Sequence, residues 1–210
     1  MIISRVPLRM SFVGGGTDLP EFYRIDTGMV VSATINKFLY VAVKRQSDIV
    51  SNKYRLNWSQ VEFPNTIDEI KHPIIRETFR ELQIDFPCEV TTFSDLPGHT
   101  GLGSSSAFTV GLLNALYAYT GQKVSAGKLA EEACHIEIEI MKSPIGKQDQ
   151  YAAAFGGLNK FDFDSSGVQS QSLEMMVDTN KLFKNELPLQ EHHIQLYFPE
   201  HLLKQHYLHQ

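Results

Sequence analysis

Apolar and polar residues alternate with a period near two up to about residue 63, and from Asn65 the period moves towards 3.6, the repeats of strand and helix. Residues 2–13 predict a strand broken at Pro7, closed by the turn Gly14-Gly15-Gly16-Thr17-Asp18. Residues 29–45, rich in β-branched and aromatic side chains, predict two strands meeting near Asn36-Lys37. A further hairpin is expected over 49–63, where Tyr54, Leu56 and Trp58 alternate with polar neighbours. Ile67, Ile70, Ile74, Ile75, Phe79 and Leu82 mark helical sequence interrupted at Pro73, and residues 86–93 return to strand. Helices are predicted from the serines near 104 to about Tyr119, over 125–141 and over 147–154. A strand follows over 158–163, residues 164–190 are polar and weakly patterned, and 192–198 predict a last strand. Strands first and packed helices after make an α+β class.

The chain is organised around Asp95–Leu113, where Pro97, Gly98, Gly101 and Gly103 run into Ser104, Ser105 and Ser106 at the start of a helix. Glycines let the backbone approach a ligand closely, and serines suit an N-cap. The unpaired N–H groups of the first turn, at the positive end of the helix dipole, form an anion site suited to phosphates. No Gly-Lys-[Ser/Thr] closes the loop, so it is not a Walker A sequence. A tight connection with no ligand is the alternative reading of the same pattern.

Composition narrows the classes. Hydrophobic residues at 42%, charged residues at 20% and a net charge of −5 are those of a globular domain without a nucleic-acid footprint. Two distant cysteines, Cys88 and Cys134, give neither a disulfide framework nor a zinc motif. No signal peptide and no run of ~18 apolar residues is present, so a cytoplasmic setting with no membrane partner is expected. Five of eight histidines fall at His192, His193, His201, His206 and His209 without metal-ligand spacing, which predicts a solvated tail.

Three segments in order resemble the GHMP kinase family: Pro7–Asp18, Pro97–Ala107, and Ser143–Gln150 followed by Gly156-Gly157. The resemblance implies the ribosomal protein S5 domain 2-like fold. Residues 1–163 would be the N-terminal domain binding nucleotide and sugar; 164–210 would hold a linker, the start of a C-terminal domain and an atypical tail. It implies ATP and Mg²⁺ as cofactors and phosphorylation of a sugar. The Gly-Gly-Gly-Thr-Asp turn and the Gly-Lys-Gln-Asp-Gln-Tyr run most resemble members acting on the anomeric hydroxyl of D-glycero-D-manno-heptose 7-phosphate. An unphosphorylated sugar such as L-fucose is the alternative acceptor, and a non-catalytic nucleotide-binding fragment the alternative class.

Residue by residue, the resemblance makes Asp149 the general base and Arg9 the cation at the transferring phosphate. Pro97, Gly98, Gly101, Leu102, Gly103, Ser104, Ser105 and Ser106 would hold nucleotide, and Gly15, Gly16, Thr17 and Asp18 the sugar. Ser105, with Ser104 as its alternative, and Glu137 would hold the metal. Glu139 competes with Glu137, but residues two apart point to different helix faces, so at most one faces the site. Lys147, beside Asp149 in sequence, is expected to keep it ionised. Read without the resemblance, Asp149 is a first-turn helix acid, Arg9 a solvated strand residue, and Glu137 and Glu139 solvated helix acids. His99, Thr100 and Lys37 are further phosphate candidates that no spacing selects. The resemblance ends near residue 198, short of the family's third Gly-rich motif. A shortened or frameshifted product is therefore expected. Its uncovered apolar surface predicts poor solubility or association, with a homodimer as one form.

Overall fold

A computed structural model describes residues 1–47, 51–98 and 100–173. The predicted strand over 192–198 and His99 lie outside the described residues. One mixed sheet of seven strands is the frame: β1 (Ile2–Val13), β2 (Gly28–Arg45), β3 (Tyr54–Asn57), β4 (Val61–Glu62), β5 (Cys88–Ser94), β6 (Leu158–Asp164) and β7 (Gly167–Ser172). The order is β4-β3-β5-β2-β6-β7, with β1 also on β2, and every pairing is antiparallel except β3 with β5.

The expected break at Pro7 and the expected turn at Asn36-Lys37 are both absent, for one reason. β2 is a single 18-residue strand. Pro7 pairs with Phe38 and Arg9 with Thr34, so Leu8 faces three residues, Ile35, Asn36 and Lys37. The polar pair marks a bulge, not a turn; a bulge bends a strand and raises its twist without ending it. At the same place β2 changes neighbours. Leu39–Val43 lie between β1 and β5, and Val31–Ala33 between β1 and β6.

The helices are α1 (Pro20–Tyr23), α2 (Pro73–Glu81), α3 (Ser104–Tyr119), α4 (Ala126–Cys134) and α5 (Gln148–Phe155). Pro73 does not interrupt a helix. A single 3-10 turn, Ile67–Glu69, ends first, and Pro73 opens α2, where a missing N–H costs nothing. The helix expected over 125–141 is α-helical only to Cys134; His135–Ile140 is a π-helical turn. β7 is a strand that polar sequence concealed, with Gln169–Ser172 exposed.

The core lies between the sheet and α3. Val6, Leu8, Val41, Val43, Leu56 and Val90 meet Val110, Leu112, Leu113 and Leu116, all nearly inaccessible. Gly111 allows this contact: a Cβ there would stand 3.0 Å from methyl groups of both Val6 and Val41. A second apolar cluster gathers Tyr23, Val30, Tyr151, Phe161 and Phe163. Cys88 and Cys134 are buried and free. Among the described residues no helix is long and apolar enough to cross a membrane.

Candidate active site

α3 starts at the loop that the sequence singles out. Its N-cap is Gly103, in the left-handed region at φ 75°, and no side chain caps it. The serines take the first three helical positions instead of the cap. Their N–H groups therefore keep the unpaired status of a helix start.

Arg9, on β1 beside the bulge of β2, ties this loop to α5. Its Nε and Nη2 donate to Asp149 Oδ1 at 2.7 and 2.6 Å, and its Nη1 donates to the Gly101 carbonyl at 2.7 Å. The Arg9 N–H donates to the Leu102 carbonyl at 3.2 Å. The partner of Asp149 is thus a residue 140 positions away, not its neighbour Lys147. Lys147 turns to the other side of α5, with Nζ 4.5 Å from the centre of the Tyr23 ring. Burial pushes the Asp149 carboxyl above the ordinary range; Arg9 opposes that shift and Asp18 adds to it.

Two cavities flank Asp149. The larger, of about 540 Å³, includes Gly98, Gly101, Gly103, Ser104 and Ser105 in its wall together with Arg9 and Asp149. Leu39, Trp58, His72, Ile74, Leu96 and Phe108 also line it. The His72 ring meets Trp58 at 4.7 Å and Phe108 at 5.0 Å, edge-on to each. Of the loop residues expected at the nucleotide, Pro97, Leu102 and Ser106 are not in this wall. The smaller cavity, of about 240 Å³, is lined by Gly16, Asp18, Leu19, Ile145, Gly146, Gln148 and Asp149.

Asp18 joins the first and third motifs. Its Oδ1 accepts from the Gly16 N–H at 3.0 Å, and its Oδ2 from the Gln148 N–H at 3.0 Å. It therefore caps α5 from a distant turn. Thr17 and Gly15 stay out of the cavity wall. The Thr17 hydroxyl donates to the Gly14 carbonyl at 2.8 Å and accepts from the Met29 N–H at 3.0 Å, clamping the turn to β2.

Glu137 and Glu139 separate as their spacing requires. Glu139 is exposed and pairs with Lys142 at 3.8 Å. Glu137 is 1% exposed and accepts from Ser105 Oγ at 3.0 Å and from Gln150 Nε2 at 2.6 Å. Burial pushes its carboxyl up, against hydrogen bonds from Ser106, Gln150, Ser105 and Thr109. This group fits a Mg²⁺ ion carried in by phosphates. Its donors are all hard oxygens, as Mg²⁺ requires, and a further buried oxygen, Gln150 Oε1, has no hydrogen-bond partner. No cluster of three His, Cys, Asp or Glu side chains suited to a metal exists among the described residues, so phosphate and water oxygens must complete the shell.

Sequence reasoning missed Trp58, His72, Phe108, Gly146 and Gln150. Gln150 carries no signal of its own in the sequence, since it closes the polar stretch Lys147-Gln148-Asp149-Gln150. The aromatic trio has none, because its members lie far apart in the sequence, after β3, before α2 and in α3.

Comparison with known proteins gives one consistent answer. Residues 69–157 match the family described as GHMP kinases N terminal domain. A D-glycero-alpha-D-manno-heptose 7-phosphate kinase of Campylobacter jejuni is 30% identical over 171 residues, which is 77% of this chain and 50% of the relative. A galactokinase of Thermotoga maritima is 23% identical over 72% of this chain and 43% of its own length. The crystal structure of a D-glycero-D-manno-heptose 1-phosphate kinase from Bacteriodes thetaiotaomicron superposes with a TM-score of 0.75 at 26% identity, covering 84% of this chain and 61% of that one. The chain thus spans about half the length of the curated relatives it matches. Over residues 69–157 the sequence matches a GHMP kinase N-terminal domain, and the fold resembles a kinase of that family.

Proposed function

We propose that this chain supplies the catalytic part of an ATP-dependent sugar kinase acting on the anomeric hydroxyl of D-glycero-D-manno-heptose 7-phosphate. Asp149 carries this reading, because it lines both cavities and Arg9 holds it at their junction. The nucleotide takes the larger cavity. Its base lies against Trp58, His72 and Phe108, and its phosphates lie along the Gly98–Ser105 loop at the start of α3. The sugar takes the smaller cavity. There Asp18, after accepting from the Gly16 N–H, the Gln148 N–H and the Gln148 side-chain amide, has an acceptor site left for a sugar hydroxyl.

The chemistry follows from those positions. The acceptor hydroxyl passes its proton to Asp149 while its oxygen bonds to the γ-phosphorus. The bond from that phosphorus to the β,γ-bridging oxygen breaks, and ADP leaves. The upward push on the Asp149 carboxyl makes it a stronger base, and the Arg9 guanidinium keeps it ionised until transfer. Arg9 also lies where charge grows on the phosphoryl oxygens. Ser105 and Glu137 would hold Mg²⁺, which when bound neutralises phosphate charge.

A second reading rests on the same small cavity. No lysine or arginine is among its lining residues, which suits an unphosphorylated sugar such as L-fucose. ADP release by the purified chain, supplied with ATP, Mg²⁺ and either sugar, separates the two. Release with heptose 7-phosphate alone, lost in Asp149→Asn, is the expected result. Release with L-fucose alone transfers the assignment to the second reading, and full turnover by Asp149→Asn removes the base.

A further inference from the structure

We infer that Gln150 is a positioning residue: its amide fixes one oxygen of the Glu137 carboxylate so that the other stays available to a phosphate-borne divalent cation. The inference rests on the kinase reading above and names a residue that reading does not use. Gln150 is fully buried in the first turn of α5. Its Nε2 lies 2.6 Å from Glu137 Oε2, and Ser105 Oγ lies 3.0 Å from Glu137 Oε1.

The two donors differ in kind. A hydroxyl donates one proton and also accepts, so Ser105 can rotate its proton away and offer an oxygen to a cation. An amide nitrogen only donates, so Gln150 keeps its hold when Ser105 changes role. The reverse amide orientation would set two acceptor oxygens 2.6 Å apart, so the nitrogen faces the carboxylate. That choice leaves Gln150 Oε1 buried without a partner. Burying an unmet acceptor is unfavourable, and the amide does so to keep Glu137 in place. A lysine or arginine there would hold Glu137 as firmly but would repel the cation. Neutral Gln150 orients the carboxylate and leaves its charge in force.

The surroundings support the same role. Glu137 sits in the π-helical turn, where the Met141 N–H donates to the Ile136 carbonyl and the Ser143 N–H to the Glu137 carbonyl, both at 2.9 Å. Such turns recur at functional sites because they re-aim one side chain. Asp149 and Gln150 are adjacent in α5, so one helical turn sets both the proposed base and the proposed metal carboxylate. Removing a group that orients a metal ligand lowers metal affinity about 10–100-fold.

The test measures Mn²⁺ affinity by electron paramagnetic resonance in the presence of a non-hydrolysable ATP analogue, on the whole chain. Gln150→Met keeps the length and loses the donor; Gln150→Asn keeps the amide and loses the reach. Gln150→Asn serves where Gln150→Met does not fold. Each is expected to weaken Mn²⁺ about 10-fold or more, with affinity for the metal-free analogue unchanged. Glu137→Gln is the comparator. Unchanged Mn²⁺ affinity in both Gln150 variants, with loss in Glu137→Gln, overturns the positioning role and leaves the kinase reading intact. Unchanged affinity in Glu137→Gln, or no Mn²⁺ binding by the unaltered chain, refutes the metal reading and the positioning role with it. A fall in metal-free analogue affinity equal to the fall for Mn²⁺ also overturns it, since that marks general damage.

Discussion

Gly146 has no room for a side chain: a Cβ there would overlap the Asp18 carboxylate. Asp18 in turn caps α5, which carries Asp149. Gly146→Ala must therefore displace Asp18, α5 or both. Overpacking of this kind costs about 1–3 kcal/mol. We expect the acceptor KM to rise about 10-fold or more, while the affinity for an ATP analogue changes little, because Gly146 is not in the larger cavity's wall. Steady-state kinetics with calorimetry of analogue binding checks both halves; an unchanged acceptor KM removes Asp18 from the sugar site. Arg9 supports a second prediction. Its guanidinium bridges Asp149 and the Gly101 carbonyl, a fork that an ammonium cannot reproduce. Arg9→Lys keeps the charge, and turnover should still fall about 10²–10³-fold, the usual effect of losing one transition-state donor. Turnover within a few-fold of the unaltered chain would show that charge alone suffices.

At the scale of elements, α2 and α3 test packing and charge separately. Gly111 lets α3 lie against β1 and β2, so Gly111→Val should destabilise by about 1–3 kcal/mol through overpacking alone, seen in urea unfolding. On α2, Glu77 accepts from Arg76 Nε at 2.8 Å and from Arg80 Nη1 at 2.9 Å. Burial pushes the Glu77 carboxyl up, the two guanidiniums push it down more strongly, and it ends below the ordinary range. A carboxyl more acidic when folded than when unfolded stabilises the fold above its unfolded pKa. That contribution is lost as pH falls through the lower, folded value. Since Arg76 and Arg80 are partly exposed, it amounts to about 0.5–1 kcal/mol after solvent screening. Glu77→Gln should lower the melting temperature at pH 7 and flatten its fall below about pH 4.5; parallel curves for the two chains would count against this account. These elements also show what was legible in the sequence. The start of α3 was, because glycines and serines mark a phosphate-suited helix start by local chemistry. β2 was not, because a bulge and a turn draw on the same polar residues and differ only in what lies across the strand. β7 was hidden because its residues are polar. The Arg9–Asp149 pair is invisible to periodicity, and Lys147 misled because nearness in sequence is not nearness across a helix.

At the scale of the whole molecule, the larger cavity is built from residues between Arg9 and Asp149, all on this chain. The nucleotide reading therefore predicts binding of a non-hydrolysable ATP analogue by this chain without any sugar. A ligand that binds only the folded state stabilises by about 2.7 kcal/mol at 100 times its Kd. For a chain of this size that raises the melting temperature by roughly 5–10 °C. Asp149→Asn should keep most of that rise, since the proposed role gives Asp149 the acceptor's proton and no hold on the nucleotide. Trp58→Ala should lose much of it, since Trp58 lies in the cavity wall with its ring against His72. The pair of variants separates binding from chemistry. A rise kept by Asp149→Asn together with lost turnover assigns Asp149 to proton transfer. A rise that neither variant affects places the nucleotide elsewhere on the chain. No rise at 100 times any Kd compatible with a working kinase removes the larger cavity as a nucleotide site, and the kinase reading of this chain with it.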